Sequence, residues 1–151
     1  LIDGIFAGET INTPSMLAVE DYLVSLDWAK AQGGLKGLIA RADANAQAIF
    51  DFCDTHDWIA NLAEVAATRS NTSVCLKFAD PRITDGAGFA KAVAKRLETE
   101  GVALDIGAYR DAPAGLRIWC GGTVELADIK AMLPWLEWAF AAEISALAQA
   151  A

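Results

Sequence analysis

Two stretches of this sequence bring together residues able to bind an anion. The first is Gly8-Glu9-Thr10-Ile11-Asn12-Thr13-Pro14-Ser15. Here small polar donors precede an expected helix start at Thr13-Pro14-Ser15. Free helix amides, the positive end of the helix dipole and the side chains of Asn12 and Thr13 could together cradle a phosphate. An ordinary capped helix, with Thr13 as cap and Pro14 in the first turn, accounts for the same residues. The second stretch runs from Asp105 to Trp119 and holds Arg110 and Arg117. Arg117 lies inside an otherwise apolar strand, where an unpaired guanidinium is costly, so it requires either a carboxylate of the protein or an anionic ligand. Arg110, beside Asp111, reads as a solvated loop pair that could also guard a binding site.

Other candidates carry less chemistry. Thr68-Arg69-Ser70-Asn71-Thr72-Ser73 is rich in donors and reads as a loop that caps a strand and touches a neighbouring domain. His56 has no second imidazole or cysteine at ligand spacing and reads as a surface residue; no metal site is expected. Trp28, Trp58, Trp135 and Trp138 lack interleaved basic residues and read as core or interface, and Glu137 and Glu143 as solvated helix positions. There is no nucleophile elbow and no Gly-rich nucleotide loop.

Composition narrows the partners. With 12 Lys and Arg against 20 Asp and Glu, a net charge of -8 disfavours nucleic acid and anionic membrane surfaces. Small anionic ligands must then be met by individual arginines. Cys53, Cys75 and Cys120 are too few and too scattered for a zinc knuckle or a disulfide framework, which points to reduced thiols and a cytoplasmic setting. No apolar run reaches the roughly 20 residues that span a bilayer. The chain opens without methionine inside what reads as an extended segment, Leu1 to Phe6, the expectation for a fragment.

The elements expected to position these residues are four helices and three strands. A helix from Thr13-Pro14-Ser15 stops at Gly33-Gly34. A second, Leu35 to Cys53, carries Leu38, Ile39, Ala42, Ala46, Ile49, Phe50 and Cys53 on one stripe. Strand Ser73–Phe78 precedes a helix opening at Gly86-Ala87-Gly88, with Phe89, Val93 and Leu97 inward and Gly101 as its stop. Strands Val102–Ile106 and Leu116–Cys120 follow, then a helix from about Val124 that Pro134 should kink or bound, with Ala146–Ala151 as a frayed end. This order implies a two-layer α/β (α+β) domain with a small, mainly antiparallel sheet.

Three phrases carry a resemblance: Gly8 to Leu17, Ala67 to Leu76, and Asp105 to Pro113 continuing through Gly115-Leu116-Arg117-Ile118-Trp119. In order and over almost the whole chain they resemble phosphoserine aminotransferases, more narrowly the branch with a Val-Glu-Asp-Tyr-Leu stretch, as at Val19 to Leu23. The resemblance implies a fold-type I, class V pyridoxal-phosphate enzyme. Residues 1–33 would be the tail of the large cofactor domain with its connecting helix, and residues 34–151 the small C-terminal domain. It implies amino transfer between glutamate and 3-phosphohydroxypyruvate in serine biosynthesis, with a link to pyridoxine biosynthesis, by a homodimer.

Asn12 and Thr13 match the pair that reaches the cofactor phosphate of the other subunit, and Arg117 the arginine that holds the substrate carboxylate. The family form has His-Arg early in the last phrase and Gly-Met-Arg-Ala-Ser at its end. Here Ala108-Tyr109-Arg110 stands at the first place, which puts Tyr109 or Arg110 where the substrate phosphate is met. None of Lys30, Lys36, Lys77, Lys91, Lys95 or Lys130 matches the cofactor-bearing lysine, which implies a fragment without catalytic residues, inactive alone and without tight cofactor binding. The alternatives are another class V enzyme of the alanine-glyoxylate type, or a non-catalytic dimerisation module.

Overall fold

A computed structural model describes residues 2–10 and 12–150. The elements in chain order are helices α1 (Ile2–Phe6), α2 (Met16–Ala31) and α3 (Gly34–Asp54), strand β1 (Ile59–Asn61), a 3-10 turn at Ala66–Thr68, strand β2 (Ser73–Phe78), helix α4 (Gly86–Thr99), strand β3 (Leu116–Trp119) and helix α5 (Leu126–Ala150). The chain divides into two compact units, Leu1–Leu38 and Ile39–Ala151.

In the first unit the expected extended opening is a short helix, α1; Leu1 and Ile11 lie outside the described residues. The cap of α2 is Ser15, two residues beyond Thr13, and its side chain accepts a hydrogen bond from the Ala18 amide at 3.4 Å. Pro14 therefore stands outside the helix. Gly33 and Gly34 both take positive φ, 91° and 64°, which an L side chain resists, and they end α2 where expected.

The second unit is built on an antiparallel sheet of order β1-β2-β3. Ile59 faces Phe78 across β1 and β2, while Val74 faces Ile118 and Leu76 faces Leu116 across β2 and β3. These pairs share the inner face of the sheet, since alternate residues point to opposite sides. Against that face Ala46 and Ile49 of α3, Phe89, Val93 and Leu97 of α4, and Ile129, Leu133, Leu136, Phe140 and Ile144 of α5 form one core. Trp58 stacks on Phe140 with ring centroids 4.0 Å apart, and Phe89 meets Phe78 edge-on at 5.0 Å. The two-layer α+β class expected from the sequence is the one observed.

One expectation about this unit needs correction. Val102–Ile106 is not a strand: the Val102 and Ala103 amides donate back to the Leu97 carbonyl, and Asp105 turns the chain with φ 53°. The backbone of the segment meets β3 through the Arg117 amide on the Ile106 carbonyl, 2.8 Å, and a bridge between Gly107 and Leu116 follows it. A third strand is supplied instead by Ile59–Asn61, too short to show alternation. Pro134 falls inside α5, one of the two placements that the sequence allowed. Ala151, the end of the expected frayed tail, lies outside the described residues.

Candidate functional site

The site is clearest around Arg117. The strand β3 alternates, with Leu116 and Ile118 buried, so Arg117 projects from the opposite face of the sheet, beside Cys75 of β2. Gly115 is what allows this strand to start: a Cβ there would overlap the backbone carbonyl of Leu76. The guanidinium is largely enclosed, its side chain 14% exposed. One Nη donates to an Asp105 carboxylate oxygen at 3.3 Å and to the Asp105 carbonyl at 3.4 Å. One face of the guanidinium lies over the Tyr109 ring, 4.3 Å from its centroid. Nε is buried and has no hydrogen-bond partner.

Arg117 and Asp105 line a cleft of about 320 Å³ with Leu104, Trp119, Asp128 and Met132. Its volume suits a small ligand. Tyr109 lines a neighbouring cleft of about 350 Å³ with Lys91 and Arg110. Arg110 is exposed, and no hydrogen bond or ion pair engages its side chain among the described residues, so the expected pair with Asp111 is not formed. Arg117 does have a carboxylate of the protein, Asp105, but that carboxylate is 93% exposed while the arginine is enclosed. A pair so unequal in burial leaves most of the guanidinium's donors unused.

In the first unit Asn12 and Thr13 are exposed ahead of α2, and no hydrogen bond engages their side chains among the described residues. The capping role expected of Thr13 belongs to Ser15, which leaves the hydroxyl of Thr13 and the amide of Asn12 available.

Several polar residues hold the second unit in shape. Asn45, buried in α3, donates to the carbonyls of Cys120 at 3.1 Å and Val124 at 2.9 Å. Arg41 reaches the Gly122 carbonyl at 2.8 Å and Glu125 at 2.6 Å. These bonds fix the turn between β3 and α5. Sequence reasoning passed over Asn45; its signal was a polar residue on the stripe with Ala42, Ala46 and Ile49. Within Thr68 to Ser73, Arg69 donates to the Ala63 carbonyl and the Ser70 hydroxyl accepts from the amides of Thr72 and Ser73, so this loop caps β2.

Two readings change. Half-buried His56 stacks on Phe52 at 4.0 Å and is not a surface residue. Glu143 is not solvated but pairs with Arg96 at 2.6 Å. The thiols are free, and burial with the nearby Asp54 charge pushes Cys53 up to about 11, which keeps it protonated at neutral pH. No group of three or more His, Cys, Asp or Glu able to hold a metal occurs among the described residues, and no helix there is long and apolar enough to cross a membrane.

No protein-family model matches the chain. Phosphoserine aminotransferase of Methanosarcina barkeri is 51% identical over 138 residues, 90% of this chain and 35% of the relative. That of Methanosarcina mazei is 49% identical over the same span. Among solved structures, phosphoserine aminotransferase from Bacillus circulans subsp. alkalophilus superposes with a TM-score of 0.78 at 20% identity, over 93% of this chain and 37% of that one. Another phosphoserine aminotransferase, studied for radiation damage of its Schiff base, gives 0.75 at 18% identity. The chain thus spans about 35% of the length of the curated relatives it matches, and over that span it is homologous to phosphoserine aminotransferase.

Proposed function

We propose that this chain is the C-terminal portion of a phosphoserine aminotransferase, a cytoplasmic homodimer that exchanges an amino group between glutamate and 3-phosphohydroxypyruvate in serine biosynthesis. The observation that carries this reading is Arg117: an enclosed guanidinium with an unpartnered Nε, lining a cleft, in a chain 51% identical to phosphoserine aminotransferase of Methanosarcina barkeri. Its planar fork of donors suits the carboxylate shared by glutamate and phosphoserine. Exposed Arg110, with Lys91 across the neighbouring cleft, adds positive charge for a substrate phosphate.

Pyridoxal phosphate, when bound, supplies the electron sink for the carbon bearing the amino group. Asn12 and Thr13 fit a phosphate, since their side-chain donors are exposed and engaged with nothing among the described residues. In the proposed dimer they serve the cofactor of the partner subunit. The lysine that bears the cofactor is assigned to the portion of the enzyme outside this sequence. Accordingly this chain alone neither binds the cofactor tightly nor turns over substrate.

Tyr109, which stands in place of the family histidine and is turned onto Arg117, favours one second reading: a class V aminotransferase for a substrate without phosphate, of the alanine-glyoxylate type. Arg117→Ala in the complete protein tests the common part of both. A charge-assisted hydrogen bond contributes about 1.5 to 3 kcal/mol, so KM for the amino acid should rise about tenfold or more with cofactor absorbance retained. An unchanged KM removes Arg117 from the site.

A further inference from the structure

The pairing of Arg117 with Asp105 has features that a purely structural ion pair does not need. Asp105 is the one described non-glycine residue with positive φ, 53°. That conformation costs energy for most L residues, although Asp and Asn tolerate it best. It brings both the Asp105 carboxylate and its carbonyl toward one Nη of Arg117, at 3.3 and 3.4 Å. These are long contacts for a charge-assisted bond, which normally closes to about 2.7 to 2.9 Å. The carboxylate is 93% exposed, whereas the arginine side chain is 14% exposed. The guanidinium is held independently of Asp105 by the Tyr109 ring on its face and by strand β3 at its root.

We propose that Asp105 is a displaceable placeholder for the substrate carboxylate. It occupies one edge of the Arg117 guanidinium in the empty site and swings into solvent when a ligand carboxylate takes that edge. This rests on the reading that Arg117 binds the substrate carboxylate, and it adds a residue to which neither the motif nor the relatives' names give a role. The physical basis is a ranking of two carboxylates. Asp105 binds through a long, solvent-screened contact from a strained backbone, which contributes little. A ligand carboxylate that engages two parallel N–H donors and leaves water on entering the cleft gains more. Meanwhile the Tyr109 ring keeps the guanidinium aligned whether or not Asp105 is on its edge, so little order has to be created on binding. The cost is competition: substrate must displace an internal carboxylate.

The test is a set of variants in the complete protein: Asp105→Asn, Asp105→Gly, Arg117→Ala and the double variant Asp105→Asn with Arg117→Ala. Asn and Gly both accept the positive φ, so the turn is kept while the charge is removed. With phosphoserine as the varied substrate, Asp105→Asn and Asp105→Gly should lower KM about two- to fivefold at low ionic strength, the range of an exposed ion pair, with kcat unchanged. The gain should shrink as salt is raised, because the lost contact is exposed. Removing Arg117 should raise KM about tenfold or more, and adding Asp105→Asn to that variant should change nothing further.

A KM that stays level or rises in both Asp105 variants, while Arg117→Ala still raises it, overturns the placeholder and leaves the assignment of Arg117 standing. An Arg117→Ala variant with unchanged KM overturns that assignment and the placeholder with it. A lowered KM in Asp105→Asn that persists in the double variant also overturns the placeholder, since the effect would then not pass through Arg117.

Discussion

Helices α2 and α4 have 16 and 14 residues and similarly placed caps, yet α4 buries Phe89, Ala90, Val93 and Leu97 and α2 buries none of its residues. The difference lies in apolar spacing. In α4 the positions 89, 93 and 97 repeat every four residues and make one stripe, which the core of the second unit covers. In α2 Leu17, Tyr22, Leu23, Val24 and Leu26 spread around the helix and stay 37 to 73% exposed. Local helix propensity therefore makes both elements, and packing stabilises only one of them within this chain. A helix apolar on many sides is the pattern of one covered in a larger protein, which agrees with a chain that spans about 35% of its relatives' length.

The contrast can be broken first in the core. Leu97→Ala, fully buried in α4, should destabilise the second unit by about 2 to 5 kcal/mol in urea unfolding, whereas Leu17→Ala in α2 should stay within about 0.5 kcal/mol. Equal losses would show that α2 is packed in solution. Asn45→Ala should cost about 1 to 3 kcal/mol, because it strips hydrogen bonds from the buried turn carbonyls of Cys120 and Val124. If the loss is negligible, Arg41 and the backbone bonds of the turn before α5 hold it without Asn45. Ser15→Ala should cost about 1 kcal/mol of α2 helix stability, read as lost ellipticity. An equal loss from Thr13→Ala would return the cap to the position that the sequence favoured.

The smallest effect is electrostatic. The Arg82 guanidinium bonded to Asp80 holds that carboxyl below its ordinary value of 3.8. The resulting stability is complete above that value and is lost as pH falls through the lowered one. Asp80→Asn should therefore leave stability at neutral pH nearly unchanged and flatten the acid limb. A steeper acid limb would mean that the pair does not form.

The sequence revealed what depends on periodicity. Ser73–Phe78 reads as a strand because part-buried and buried positions alternate through Leu76, and α4 because its stripe is regular. It misled where a local pattern conflicts with tertiary bonds: Val102–Ile106 has strand-like composition, but its first amides are tied to the end of α4 and Asp105 reverses the backbone. Ile59–Asn61 was hidden because its strand character comes from pairing with β2. At the site, the need of Arg117 for an anion was legible from a charge in an apolar strand. Its neighbours Asp105 and Tyr109 were not, since they lie 12 and 8 positions away and meet it only through the loop.

The proposed role of this chain is as one part of an enzyme that transfers amino groups. Glutamate release from phosphoserine and 2-oxoglutarate, measured with pyridoxal phosphate for the complete protein and for this chain separately, tests it most directly. The complete protein should turn over and prefer this pair to alanine and glyoxylate, and the chain alone should be inactive. Turnover by the chain alone, or a complete protein inactive on phosphoserine, would contradict it.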